Sequence, residues 1–307
     1  MSISLKNIGK SYGAVKALSN ISFDVKQGEL FGLIGPDGAG KTTLFRILTT
    51  LLFPDNGEAK VSGYDIIRDF KDIRSHVGYM PGRFSLYQDL TVEENLNFFA
   101  TIFGTTIAEN YDLIKDIYEH IEPFKDRRAG KLSGGMKQKL ALSCALIHKP
   151  RVLFLDEPTT GVDPVSRKEL WEMLKRLQQK GITILVSTAY MDEASLCDRI
   201  ALIQDGTILK IDRPQVIIDT FPSKIYNVKA DSTYRLLQDL ALYPDTHSVY
   251  PFGEYSHFTS ADPDFKPSDL MRFLQEKQHS GIEVSETPAT IEDAFMELSK
   301  ASELIDN

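Results

Sequence analysis

Cysteine is scarce. The 307-residue chain has two, Cys144 and Cys197, and neither belongs to a CxxC pair or a Cys/His cluster. That argues against a zinc site and leaves two buried thiols in a reducing compartment as the expectation. Long hydrophobic runs are lacking as well. No apolar stretch approaches the ~20 residues that a membrane-spanning helix needs, so if the protein works at a membrane another chain must supply the spans. The start, MSISLKNIGKSYG, holds no apolar core of signal-peptide length, and no secretory leader is expected. Positive charge is in deficit: 35 Lys and Arg against 43 Asp and Glu give a formal charge of −8, whereas a dedicated nucleic-acid binder carries a basic stripe. There is no internal repeat and no low-complexity tract.

What is present is ordinary globular composition, with 42% hydrophobic and 25% charged residues. The length fits one large domain plus a small one. Strands are expected at Ile3–Ile8 and at Glu29–Ile34, the second ending on a glycine-rich loop. A helix should follow over Thr43–Leu52, closed by Phe53-Pro54-Asp55-Asn56-Gly57, and Val77–Met80 reads as a strand. Thr91 with Glu94 forms a capping box before the apolar-spaced Leu96, Phe98, Phe99 and Ile102, and a second helix is expected over Asn110–Ile121. Ser133 is a good N-cap for an amphipathic helix reaching about His148, stopped by Pro150. Val152–Leu155 and Ile182–Ser187 have the continuous apolar character of central parallel strands. Asp163-Pro164 reads as cap and first position of a helix to about Lys180. Asp205-Gly206 joins Arg199–Gln204 to Thr207–Lys210 as a hairpin.

From about Phe221-Pro222 the chain becomes more polar, and residues 221–307 are expected to form a small α+β extension. Its predicted elements are a strand at Ile225–Ala230, a helix at Thr233–Leu242, strands within Ser248–Thr259, a helix at Ser268–His279, a strand at Ile282–Val284 and a helix at Ile291–Leu298.

The chemistry-bearing signal is Gly35-Pro36-Asp37-Gly38-Ala39-Gly40-Lys41-Thr42, which fits G-x-x-x-x-G-K-[ST] between a predicted strand and a predicted helix. Glycines let backbone amides turn inward around an anion, and a helix N-terminus adds a favourable field. Lys41 can reach β- and γ-phosphates, and the Thr42 hydroxyl can ligate magnesium; the following Thr43 completes the expected nucleotide contacts. Downstream, Val152-Leu153-Phe154-Leu155 ends on Asp156 and Glu157. A carboxylate at that strand end, Asp156, suits a magnesium ion, and Glu157 is placed as the catalytic group that polarises the water attacking the γ-phosphate.

Leu132-Ser133-Gly134-Gly135-Met136-Lys137-Gln138 adds a resemblance: it is similar to the signature motif of ABC transporter nucleotide-binding subunits. Tyr12 in Ser11-Tyr12-Gly13 resembles the aromatic that stacks on adenine in that family, and Gly161-Val162-Asp163-Pro164 its communication loop. The resemblance is dense over Ser2–Lys210, and a looser one links the tail around Thr287–Phe295 to ATPase subunits of drug- and efflux-type exporters. It implies an α/β phosphate-loop NTPase fold of ABC type over residues 1–220: a mixed sheet core, an antiparallel β edge and a helical subdomain at about 81–150. It also implies ATP and Mg2+ as cofactors, contacts from Ser133, Gly134, Gly135 and Asp163 across a dimer, permease subunits as partners, and residence on the cytoplasmic face of the cell membrane.

Two positions depart from the family pattern. Gly82 stands where Gln is usual, with Gln88 six residues late, and Ala189 stands where His is usual. A methyl group neither donates nor accepts a hydrogen bond, so ATP is expected to be bound better than it is split. The leading reading is the ATPase subunit of an exporter, in a heterodimer more readily than a homodimer. The alternatives are a non-hydrolysing nucleotide-binding partner in a heteromeric complex, or an ABC ATPase outside transport. The latter usually has two such domains or a long coiled-coil insertion, neither of which is visible here.

Overall fold

The structure is a computed structural model that describes the backbone of residues 1–305 and side chains through residue 300. Its elements, in chain order, begin with β1 (Ile3–Tyr12), β2 (Val15–Val25), β3 (Leu30–Ile34), α1 (Lys41–Leu48), β4 (Asn56–Val61), β5 (Tyr64–Asp65), α2 (Phe70–His76) and β6 (Val77–Met80). They continue with α3 (Val92–Ile102), α4 (Ile107–Tyr118), α5 (Gly134–Leu146), β7 (Val152–Asp156), α6 (Pro164–Gln179), β8 (Thr183–Thr188), β9 (Arg199–Gln204) and β10 (Thr207–Asp212). The rest comprises α7 (Pro214–Asp219), β11 (Ile225–Lys229), α8 (Thr233–Ala241), β12 (Thr246–Phe252), β13 (Tyr255–Ser260), α9 (Pro267–Glu276), β14 (Glu283–Thr287) and α10 (Ile291–Ile305).

The chain forms two compact units. One is Met1–Pro214 together with the chain from Leu298, the other is Gln215–Glu297. Within the first unit, a six-stranded sheet runs in the order β10-β9-β3-β8-β7-β6. Five of its strands are parallel, and β10 turns back antiparallel on β9 through the Asp205-Gly206 hairpin. β3, β7 and β8 are buried at every position, as strands covered on both faces must be. A second sheet, β2-β1-β4-β5, is antiparallel throughout. It shares one core with α1, where Phe45 of α1 meets Phe154 of β7 edge to face at 6.0 Å.

Helices α3, α4 and α5 occupy the stretch between Pro81 and Pro150. The Thr91/Glu94 capping box is formed, with Glu94 N bonding Thr91 Oγ1 at 3.1 Å and Thr91 N bonding the Glu94 carboxylate at 2.7 Å. A second box, Thr106/Glu109, starts α4 three residues earlier than expected. One expectation is corrected here. α5 is not amphipathic, because Leu140, Leu142, Ser143, Cys144, Ala145 and Leu146 are all buried and no single face meets solvent. The Ser133 cap starts this helix despite the low helix propensity of Gly134 and Gly135, and packing on all sides, not a polar stripe, holds its second half.

The second unit carries its own antiparallel sheet, β12-β13-β11-β14, with a core of Val228, Leu236, Leu240, Phe258, Leu270 and Leu274. No helix among the described residues is long and apolar enough to cross a membrane. Both cysteines are free and buried, and burial pushes both thiols up from their ordinary pKa.

Candidate functional site

β3 and β7 are separated in the sheet by β8 alone, so three strand ends meet on one edge. The loop 35–42 leaves β3, Asp156 ends β7 with Glu157 directly after it, and Ser187-Thr188 end β8. β8 acts as the crossbar. Gly35 N donates to Thr188 O at 3.2 Å, Ser187 Oγ donates to Asp156 Oδ1 at 2.7 Å, and Glu157 N donates to Ser187 O at 3.1 Å.

The loop's shape needs glycine at Gly40. Its φ is +100°, in the left-handed region, and a Cβ there would stand 2.4 Å from Ala17 O of β2. Gly40 is also the residue from which α1 starts, so the amides of the first helical turn face the loop. Pro36, Asp37 and Gly38 are exposed, Ala39 is buried, and Thr42 and Thr43 follow at the helix start.

Lys41 is 3% exposed. Its ammonium donates to Gly35 O at 2.8 Å and Pro36 O at 2.9 Å and lies 3.0 Å from Glu157 Oε1. A buried ammonium held by two carbonyls and one carboxylate sits in a site built for negative charge. Glu157 itself has φ +50°, a left-handed backbone uncommon for a residue with a side chain. Its N–H bonds to Ser187 O and Oγ hold it there. Such strain, on the order of 1–3 kcal/mol, persists where the surroundings over-determine the geometry.

Asp156 is 2% exposed. Burial raises its carboxyl above the ordinary aspartate range, and the Ser187 and Thr42 hydroxyls and the Lys41 charge only partly offset this. Tyr79 of β6 is pushed up to about 12, by burial first and by the Asp156 charge second. A desolvated carboxylate of this kind is stabilised by an adjacent cation.

Tyr12 ends β1 at the turn into β2 and is 47% exposed. Ser133 caps α5, accepting from Met136 N at 3.3 Å, and both Ser133 and Gly134 are exposed. Gly135 packs against Ser166 of α6 so closely that a Cβ would meet Ser166 Oγ at 2.8 Å. Asp163 caps α6 through Val165 N and Ser166 N at 3.1 and 3.0 Å, and the Ser166 amide is the first cause of its lowered pKa. Among the described residues no hydrogen bond or ion pair joins Ser133–Gly135 to the loop 35–43. Lys41, Asp156 and Glu157 therefore converge within the chain, and the Ser-Gly-Gly segment stands apart from them.

At the first departure, a Cβ on Gly82 would lie 3.0 Å from Asp156 O and 3.7 Å from Glu157 Cβ, so this segment presses on the end of β7. Gln88 is held elsewhere, its carbonyl accepting from Gly130 N at 2.9 Å. At the second, Ala189 is half-buried beside Tyr190, whose ring lies beneath the Arg167 guanidinium at 4.2 Å. Two residues of this site were not singled out from sequence. Ser187 orients both Asp156 and Glu157. Glu193, 2% exposed, accepts from Thr159 at 3.0 Å, Thr188 at 2.5 Å and Arg167 at 3.1 Å, tying the segment after β7 to the segment after β8. A polar residue at the carboxyl end of a continuous apolar strand was the available signal for Ser187; a lone glutamate carried none.

Two further cavities border this unit's helices. One of about 580 Å3 lies between β6, α3 and α5 and is lined mainly by apolar side chains including Leu51, Phe99, Ile102 and Phe103. A smaller one of about 160 Å3 is bordered by Gly82, Arg83, Gln138, Glu157 and Thr160.

A family model described as ABC transporter matches residues 18–160. The probable multidrug ABC transporter ATP-binding protein YbhF of Escherichia coli is 39% identical over 290 residues, 92% of this chain and 49% of that protein. The chain thus spans about half the length of that relative. The Nod factor export ATP-binding protein I of Burkholderia lata is 34% identical over 301 residues, covering 97% of this chain and 96% of the relative. Among solved structures, the ATP-binding subunit of an ABC transporter aligns with TM-score 0.66 and 28% identity over 72% of this chain and 93% of that one. A dimeric post-hydrolysis ATP-binding cassette bound to ADP and Pi aligns with TM-score 0.63 and 27% identity over 69% and 98%.

Proposed function

We propose, from the premise that this chain belongs to the ABC transporter family of ATP-binding proteins, that it is the energy-coupling subunit of an exporter, binding Mg-ATP and driving separate membrane chains. The observation that carries the reading is the Lys41–Glu157 pair at 3.0 Å, beside a loop whose Gly38 and Gly40 both take the left-handed backbone. Both curated relatives described above are named for drug or Nod factor transport, which favours export over uptake.

In this reading residues 35–43 hold the phosphates, with Lys41 on the β- and γ-groups, and Tyr12 stacks on the base. The donor set suits magnesium. Among the described residues no three His, Cys, Asp or Glu side chains converge as a metal cage. Asp156 and Thr42 instead face one another beside the loop, and magnesium is ordinarily held by one or two carboxylates plus substrate phosphates. When bound, the ion would neutralise charge on the β- and γ-phosphates. Glu157 would orient a water and take its proton as the water oxygen bonds to the γ-phosphorus. The bond from that phosphorus to the bridging oxygen breaks, and ADP leaves with the electron pair.

The exposed start of α5, Ser133-Gly134-Gly135, is then free to close on ATP held by a second ATP-binding subunit, with Asp163 at the same interface. The apolar cavity beside α3 and α5, with Leu51 and Ile102 each more than half exposed, offers the surface for a cytoplasmic helix of a permease chain. In that reading the protein works from the cytoplasmic face of the membrane. The domain division proposed is a nucleotide-binding domain over about 1–220 and an α+β extension beyond it.

A second reading is favoured by Gly82 and Ala189: a heteromer in which this chain's own site turns over slowly while its α5 start completes a partner's site. The test is twofold. Fluorescent ATP should bind the chain in a magnesium-dependent way and be lost in Lys41→Ala, and a multispanning membrane protein should co-purify. Absence of ATP binding, or co-purification of ribosomes or DNA instead, would overturn the reading. Robust single-turnover hydrolysis that depends on Glu157 would sink the slow-site version alone.

A further inference from the structure

The small cavity behind Glu157 contains a cation with no partner. Its lining includes Gly82, Arg83, Lys137, Gln138, Glu157 and Thr160. Of the polar side chains named, each except one is engaged. Lys137 Nζ lies over the Phe84 ring at 5.5 Å. Gln138 donates its amide to Pro158 O. Thr160 Oγ1 donates to Glu157 Oε2 at 3.4 Å, and Glu157 is paired with Lys41. Arg83 has neither an ion pair, nor a hydrogen bond, nor a ring contact among the described residues, and it is exposed.

Its position is fixed by its neighbour. Gly82 approaches the end of β7 so closely that a Cβ would touch Asp156 O at 3.0 Å. The backbone of this segment is therefore held against the Asp156 carbonyl and the Glu157 Cβ, and the Arg83 side chain begins one residue away. An exposed guanidinium without a partner gives up no contact within the protein when it turns toward a ligand. An arginine offers five donors in a planar fork, which matches phosphate oxygens better than a carboxylate side chain already claimed by a lysine.

We propose that Arg83 is a further catalytic residue of this site, reaching from the Gly82 segment to the γ-phosphoryl group as it is transferred. The inference rests on the ATPase reading above and deepens it. As the water oxygen bonds to phosphorus and the bridging oxygen departs with ADP, charge spreads over the three equatorial oxygens. A guanidinium supplied in cis stabilises that charge.

The experiment compares the full chain with Arg83→Ala and Arg83→Lys by three measurements: affinity for a fluorescent ATP analogue, single-turnover hydrolysis with protein in excess, and trapping of ADP with vanadate. Arg83→Ala is expected to bind ATP within about twofold of the parent while losing ~100-fold in the hydrolytic step and losing vanadate trapping, as for removal of one pre-organised transition-state donor. Arg83→Lys should recover part of both. Unchanged hydrolysis and trapping in Arg83→Ala overturn the role, as does a parent chain that binds ATP yet neither hydrolyses it nor traps vanadate. A parent chain that binds no ATP overturns the ATPase reading itself, a distinguishable failure.

Discussion

Lys41 Nζ lies 3.0 Å from Glu157 Oε1, joining the first turn of α1 to the end of β7. The lysine that should meet phosphate and the carboxylate that should meet water thus share one contact. A phosphate arriving at the loop competes with Glu157 for the same ammonium, and the released carboxylate becomes available to a water.

Glu157→Gln should therefore act in two opposite directions. Removing the negative charge frees Lys41 and lowers repulsion against a γ-phosphate, so ATP affinity should rise severalfold. Loss of the proposed general base should cut single-turnover hydrolysis by ~100-fold or more. Equilibrium binding and quench-flow on the same preparation check both. A variant with weaker binding and intact hydrolysis would contradict the assignment.

Gly82 and Ala189 call for different outcomes on replacement. Ala189 is half-buried next to exposed Tyr190, so Ala189→His is expected to fold with little loss and place an imidazole near the end of β8. Gly82→Gln meets Asp156 O at 3.0 Å from its first side-chain carbon, so the segment must shift by a few tenths of an ångström. The double variant should hydrolyse faster than Ala189→His alone only if that shift is accommodated. Single-turnover rates together with thermal melts separate the two cases.

The parts of this site that depend on local pattern were legible in the sequence. Loop, helix start and strand end follow each other in Gly35–Thr42 and Val152–Glu157, and Asp163 and Ser133 cap the helices their positions suggested. The parallel strands were readable because burial on both faces makes them continuously apolar. β2 was not, since Val15–Val25 alternates irregularly and its register against β1 shifts three times. β4, beginning at Asn56-Gly57, was hidden inside what reads as a turn. The Lys41–Glu157 contact and the Ser187 crossbar are consequences of strand order, which no local pattern encodes.

In the second unit, Asp293 is buried and accepts from His257 Nδ1 at 2.6 Å, Thr290 N at 2.7 Å, Thr290 Oγ1 at 2.5 Å and the Tyr250 hydroxyl. Burial alone would raise its carboxyl, but these bonds outweigh it and hold it below the ordinary range. A depressed carboxylate stabilises the fold above its unfolded pKa and loses that contribution as pH falls through the folded value. Asp293→Ala should cost on the order of 3 kcal/mol by leaving His257 and Tyr250 without their acceptor. Denaturant titration should show the unit's transition move to lower concentration while ATP affinity of the first unit is retained.

Asp156 has the opposite sign. Its folded pKa is raised by burial, so keeping it ionised at neutral pH costs stability, and that cost disappears as pH falls through the raised value. Magnesium needs the ionised form. Acidification should then weaken magnesium-dependent ATP binding at a pH above that at which an ordinary aspartate protonates, without unfolding the chain on account of this residue. Asp156→Asn keeps an acceptor for Ser187 Oγ and removes the charge. It should melt higher than the parent in the absence of nucleotide, gain less from Mg-ATP, and lose the pH dependence of that gain. Differential scanning fluorimetry across pH 4 to 8, with and without Mg-ATP, gives all three readouts. An unchanged nucleotide-induced shift in Asp156→Asn would remove this carboxylate from the metal site.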